Sequence, residues 1–235
     1  MKTSHIFRPL LLVSLFICGV NNSKAMNITD GSQDDIPDRL TFGLVGDVKE
    51  VQISITDNSN DMVDDPINEE QVMTFDKEGR VTRDIHDCEY VYDAKGNFIK
   101  GDKEYTKMER DKKGRIKLYK TQLDDEDAEC YHYIYKYDSK GRPTTIELQL
   151  WEGFYTHTFT YSGDNVYPDK LVVDGDEEGD HYNTVVTYEY KSFDEHGNWT
   201  ERVCNTETRI TSVDDSDITQ ESMSTLEQRK ITYYE

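Results

Sequence analysis

Tyr137-Asp138-Ser139-Lys140-Gly141-Arg142 is the stretch whose reading decides the fold. Asp accepts hydrogen bonds from backbone N–H groups two or three residues on, the two middle residues take a type I turn, and Gly adopts the positive φ of the bulge that realigns the strands. Arg restarts the outgoing strand. The aromatic before Asp ends the incoming strand, where it covers a cross-strand neighbour. The pattern returns in Phe75-Asp76-Lys77-Glu78-Gly79-Arg80, Tyr92-Asp93-Ala94-Lys95-Gly96-Asn97 and Phe193-Asp194-Glu195-His196-Gly197-Asn198. Arg110-Asp111-Lys112-Lys113-Gly114-Arg115 lacks only the aromatic, and Tyr161-Ser162-Gly163-Asp164-Asn165 is a shortened copy. Such self-similarity predicts a run of antiparallel hairpins.

The segments between the turns alternate with period two, as in Val51-Gln52-Ile53-Ser54-Ile55, Tyr131 to Tyr137 and Thr145 to Trp151, so each strand has one apolar or aromatic face. Gln220 to Arg229 could form a helical turn, but it runs into Lys230-Ile231-Thr232-Tyr233-Tyr234 and is read with it as the last strand. About a dozen strands result, and an open sheet seldom exceeds roughly 10 without curling or closing. The expected fold is all-β: an antiparallel meander of repeated hairpins in a curled sheet or incomplete barrel. Spacings of 17, 18 and 27 residues between Gly79, Gly96, Gly114 and Gly141 argue against a strict solenoid. Aliphatic residues are sparse, so 16 Tyr, 8 Phe and 2 Trp must fill a thin core.

Ahead of this domain, residues 1–25 read as a signal peptide, with basic Lys2 and Arg8, an apolar run from Leu10 to Val20, and Ser23-Lys24-Ala25 at the cleavage site. The run is too short for the roughly 20 residues of a transmembrane helix. Leu15-Phe16-Ile17-Cys18-Gly19 offers a second route, lipidation at Cys18, against which Ile17 stands where a lipobox has a small residue. Both routes lead to the periplasm, the outer-membrane surface or the outside of the cell. Residues 26–40 read as a flexible tether, and 41–235 as a single domain.

A net charge of −21 repels phosphate backbones and anionic headgroups, which excludes nucleic acid as a partner. The acids cluster at Asp57–Glu70, Asp124–Glu129, Asp174–Asp180 and Asp214–Asp217, read as solvated loops. After the leader, Cys88, Cys130 and Cys204 allow at most one disulfide, and their first reading is as small buried side chains on strands.

The repeats resemble the YD repeats of RHS-type bacterial proteins, and Gly43 to Val51 is similar to the opening strand of small exported Gram-negative proteins that carry them. The resemblance covers about residues 42–200. It implies an all-β sheet that wraps or encloses, a binding, scaffolding or shell role, and no cofactor. With about six repeats, a full cocoon-shaped shell is not expected.

No nucleophile or zinc signature accompanies the turns: Gly-x-Ser-x-Gly, Ser-x-x-Lys and His-Glu-x-x-His are all missing, and His86, His132, His157, His181 and His196 read as surface or strand residues. A glycan hydrolase would need two facing carboxyls that the sequence does not single out. Asp174, Asp176, Glu178 and Asp180 could offer calcium several oxygens from one loop, without the EF-hand spacing. Trp151, Phe154, Tyr155 and Trp199, with Tyr188 and Tyr190, are the aromatics that could stack on a ligand or else form the core. The function expected is that of a non-enzymatic exported interaction protein with a protein partner in the envelope. A carbohydrate-binding module that uses exposed aromatics is the alternative, and a glycan hydrolase a third.

Overall fold

A computed structural model describes residues 38–58, 67–85, 87–101, 107–122, 130–150, 153–165, 167–212 and 218–235. The signal peptide, Cys18 and most of the tether lie outside these residues. The described residues open with one helical turn, α1 (Asp38–Thr41), which Gly43 ends at φ 71°. Residues 38–40, expected in the tether, therefore belong to the folded domain.

Fourteen strands follow: β1 (Val48–Asp57), β2 (Asn68–Phe75), β3 (Val81–Arg83), β4 (Tyr90–Tyr92), β5 (Phe98–Gly101), β6 (Lys107–Arg110), β7 (Ile116–Gln122), β8 (Cys130–Tyr137), β9 (Pro143–Gln149), β10 (Gly153–Thr160), β11 (Lys170–Glu177), β12 (Asp180–Phe193), β13 (Trp199–Ser212) and β14 (Ile218–Tyr233). Twelve form one antiparallel sheet in the order β3-β2-β1-β14-β13-β12-β11-β10-β9-β8-β7-β6, and β4 and β5 pair separately. The sheet is a meander that curls without closing into a barrel. The sequence around Gln220 to Arg229 is strand, as expected.

The first strand pairs with the last, Val51 opposite Ile231 and Ile55 opposite Glu227. The gap therefore lies between edges β3 and β6, where the β4–β5 hairpin sits. Side chains, not a ladder, span it: the Tyr92 hydroxyl donates to the Val81 carbonyl at 2.8 Å, and Tyr90 packs edge-on against Tyr119 at 5.8 Å. Asp38, fully buried, reaches both edges. Its carboxylate accepts from the Val81 N–H of β3 at 3.0 Å and from the Arg110 guanidinium of β6.

In every turn of the repeat the first oxygen of the Asp carboxylate accepts from the N–H four residues on, and in four of the five the second accepts from the side chain after Gly; at Asp194 the Tyr233 hydroxyl donates to it instead. Asp138 Oδ1 accepts from the N–H groups of Lys140 and Arg142, two and four residues on, both at 2.9 Å. Gly141 takes φ 86°, and its four counterparts lie between 76° and 85° on the same scale (Gly114 76°, Gly79 78°, Gly96 83°, Gly197 85°). The second oxygen accepts from the residue after Gly: Arg142 Nε at 2.7 Å, Arg115 Nε at 2.8 Å, Arg80 Nε at 2.6 Å and Asn97 Nδ2 at 2.9 Å. At these four turns Arg or Asn places an N–H donor within reach of that oxygen, whereas Asn198 turns its amide to the Val45 carbonyl and the Tyr233 hydroxyl. Consecutive turns are joined as well. Arg80, Arg115 and Arg142 lie over the rings of Tyr92, Tyr137 and Tyr161 at 5.1, 4.2 and 4.5 Å. The hydroxyls of those three tyrosines donate to the carbonyl one residue past the same arginine, at Val81, Ile116 and Pro143.

Removing this acceptor is a direct test. Asp138→Ala leaves two N–H groups and a half-buried guanidinium without it, and should cost about 2 kcal/mol, read as a fall in Tm of about 4–8 °C.

Because the repeat turns occupy alternate hairpins, they share one rim of the curled sheet, the turn rim. Residues 42–47 cross its mouth, with Phe42 and Leu44 buried and the Val45 N–H and carbonyl both bonded to the Asn198 side chain, at 2.8 and 3.0 Å. The strand ends that flank 59–66, 123–129 and 213–217 all lie at the opposite rim.

Inward positions alternate along each strand: Val51, Ile53, Ile55, Met73 and Phe75 on one side of the ring, and Tyr133, Tyr135, Ile146, Leu148, Leu171 and Val173 on the other. Gly175 faces Tyr155 across β10 and β11, and a Cβ there would come within 2.5 Å of the ring. His157 is buried in this layer, and burial pushes its pKa from 6.5 down to about 4, against a contact with the Ile146 carbonyl at 3.2 Å that opposes the shift. The unfolded chain thus takes up a proton that the fold excludes. Stability is full above pH 6.5 and falls as pH drops towards 4, by about 2–3 kcal/mol between pH 7 and 4.5. Urea titrations at those two pH values should show that loss in the wild type, and a smaller one in His157→Phe.

Candidate surface at the turn rim

At the β12–β13 end of the turn rim, three rings gather where β12 is irregular. Register shifts after Tyr190 and Ser192 turn Phe193 toward the mouth of the sheet, opposite Trp199. Tyr167, from the connection between β10 and β11, packs on both neighbours: 4.4 Å from Tyr190 at 50°, and 5.4 Å from Phe193 at 39°. Tyr190 and Phe193 are 6.1 Å apart at 34°, and Tyr190 meets Trp199 beneath at 6.2 Å. Phe193 remains 43% exposed, while Tyr167 and Tyr190 are half-buried. The Tyr190 hydroxyl donates to the Pro168 carbonyl at 2.8 Å, which fixes the connection to β12. Burial, and then the nearby Asp169 carboxylate, hold the Tyr167 hydroxyl above its usual range.

Under these rings lies a charged layer. Arg202 is fully buried and donates through Nε to Glu227 Oε2 at 2.7 Å, while the Cys204 thiol donates to Oε1 at 3.0 Å. The Arg202 guanidinium is 4.3 Å from the ring centres of both Tyr188 and Trp199, and that of Arg229 is 3.7 Å from Trp199. A buried indole face is the strongest aromatic partner for a cation.

Several residues that the sequence marks as ligand-facing are placed elsewhere. Trp199 is fully buried and Tyr155 is 2% exposed, so both belong to the core. The alternation of β10 turns Tyr155 inward onto Leu148 and Gly175, and Trp199 is covered by two arginines. Phe154, one residue earlier, faces out at 53% exposure, and Trp151 lies outside the described residues. Phe193 and Tyr167 are the residues the sequence does not single out. The aromatic of a turn motif reads as a strand cover, and a bulge that the pattern does not reveal re-aims it.

The calcium candidates are not a loop. Asp174 and Asp176 stand on β11 and Asp180 opens β12, joined by a two-residue turn with Glu178 at φ 51° and Gly179 at φ 87°. Asn183 Nδ2 donates to Asp174 at 3.0 Å, and His181 Nδ1 lies 3.0 Å from Asp176. Among the described residues no group of three or more His, Cys, Asp or Glu could hold a metal ion. Of the cysteines, Cys88 and Cys204 are buried as expected, and the side chain of Cys130 lies outside the described residues. No helix among the described residues is long and apolar enough to cross a membrane.

No protein-family model matches the chain, and no curated protein is similar to it at a significant level. Among solved structures, a porin-like protein from Bacteroides uniformis is similar, with 10% sequence identity and a TM-score of 0.40 over 79% of this chain and 96% of that one. A likeness of this degree bears on neither ligand nor compartment.

Proposed function

We propose that this chain is an exported, non-enzymatic interaction protein of the cell envelope, which engages a protein partner through Tyr167, Tyr190 and Phe193. The observation that supports this is the shape of the cluster. Sugar stacking favours rings lying coplanar along a groove, whereas these are tilted by 34–50° to one another and form a compact knob with one exposed face. An apolar knob on a rigid sheet end suits insertion into a partner's pocket, as aromatic anchors do in protein interfaces. The resemblance to YD-repeat proteins, with their binding and scaffolding roles, agrees with this reading.

A photoreactive phenylalanine at Phe193 tests it in intact cells. One discrete adduct is expected, lost when Tyr167 is replaced by Ser and missing when the same group stands at exposed Phe154. Equal adducts at both positions would reject the knob as the contact. The carbohydrate reading predicts instead that the purified chain binds a glycan array, and that Tyr190→Ala removes the signal.

A further inference from the structure

The turn rim has a second arc, on the side away from the aromatic knob. The turns of β2–β3, β4–β5, β6–β7 and β8–β9 carry Lys77, Lys95, Lys112, Lys113 and Lys140 at their tips, all exposed. Within these turns, from each Asp to the Arg or Asn after Gly, five lysines and three arginines stand against four aspartates and Glu78, a net of three positive charges. Asp164 of the next connection offsets one of them through Lys140. No repeat turn lies at the opposite rim among the described residues. The strands that end there flank segments 59–66, 123–129 and 213–217, which hold eleven Asp and Glu and no Lys or Arg.

The whole-chain charge of −21 predicts repulsion from any anionic surface, but in these four turns the basic side chains outnumber the acidic ones. An eight-residue strand such as β8 spans about 26 Å, roughly three Debye lengths at physiological salt. At that distance an object touching this arc is screened from the opposite rim and meets the lysines, with the exposed carboxylates of Glu78 and Asp164 beside them. The 37 residues before Asp38 also join the fold at this rim, through α1.

From these observations we infer that the lysine arc of the turn rim rests against phosphate-bearing lipid headgroups of an anionic membrane, with the opposite rim directed away. The contact is electrostatic and peripheral. The N-terminal segment enters on the membrane side, so any tether or lipid on it would hold the same face down, and a single anchor plus a basic patch together give stable attachment. This goes beyond the protein-partner reading and does not depend on it, because it uses the other arc of the rim.

Flotation of the purified chain with phosphatidylcholine vesicles, alone or mixed with phosphatidylglycerol, is the test. Binding to the mixed vesicles is expected at about 0.05 M salt and is expected to fall at least about tenfold at about 0.5 M, where the Debye length is under about 5 Å. K95E/K112E/K113E should lose the binding by at least about tenfold, while Phe193→Ser should bind like the wild type. Equal binding to both vesicle types, no binding to the mixed vesicles at low salt, or unchanged binding by the triple variant would each overturn the inference. A Phe193 variant that loses its protein adduct but keeps vesicle binding would separate the two proposals.

Discussion

Asp38→Ala is expected to lower the unfolding free energy by about 3–5 kcal/mol, because it strips the counter-charge from Arg110, whose side chain is 23% exposed, and leaves the buried Val81 N–H without its acceptor. Asp38 is fully buried and bonds both edges of the sheet, the Val81 N–H of β3 and the Arg110 fork of β6. Burial alone would lower the pKa of Arg110, and the Asp38 carboxylate more than reverses that effect. The loss should therefore be local as well as global. Hydrogen exchange at Val81 should rise more than at Leu171, which lies deep in the sheet. If the ion pair is the cause, Asp38→Ala combined with Arg110→Met should recover part of the stability, since a buried charge pair replaced by apolar groups is often near neutral. Asp38→Ala stability within 1 kcal/mol of the wild type would mean that the β4–β5 hairpin alone holds the edges together.

Glu227→Ala should have an effect of similar size, about 3–5 kcal/mol, for a different reason. Glu227 is the carboxylate that bonds Arg202 in an interior that also holds Arg229, and its removal leaves two guanidiniums packed over Trp199 without it. Cys204 loses its acceptor in the same change. Equilibrium urea unfolding followed by Trp fluorescence reports on the site itself, because Trp199 lies in that layer. Glu227→Gln keeps one acceptor oxygen, enough for Arg202 or for Cys204 but not for both, and should cost less than Glu227→Ala. The reverse order would show that Cys204 and Arg202 do not depend on this acceptor.

Local rules carried the architecture far. The Asp-x-x-Gly repeat encodes its own hydrogen bonds within six residues, so turns, hairpins and a curled meander were all legible, and the period-two runs place Tyr133 and Tyr135 inward as they suggest. The reach of the Asp carboxylate was read one residue short, and the link from each arginine to the next tyrosine was missed because it joins different hairpins. The core of β13 was not legible at all. Alternation of apolar residues would turn Val203 inward, whereas the structure buries Arg202 and Cys204 and pairs Val203 with Leu226 on the outer face. What makes that choice possible is Glu227, 25 residues away on another strand. Likewise, the exposed aromatics could not be told from core aromatics by type. Tyr155 and Phe154 are neighbours with opposite fates, and Phe193 is re-aimed by a register shift that no residue pattern announces.

The gathering of all the repeat turns on one rim depends on one pairing, that of the first strand with the last. Gln52 stands opposite Lys230 on the outer face of β1 and β14, and both are exposed. The Gln52→Cys/Lys230→Cys chain, with Cys88, Cys130 and Cys204 replaced by Ala, oxidised in its native state and compared with each single variant on that background, measures that pairing. An intramolecular disulfide that forms in good yield in the double variant, and is missing from Gln52→Cys/Glu207→Cys, is the result this structure requires. No disulfide in the first pair, or equal yields in both, would contradict the ring of strands on which both surfaces are placed.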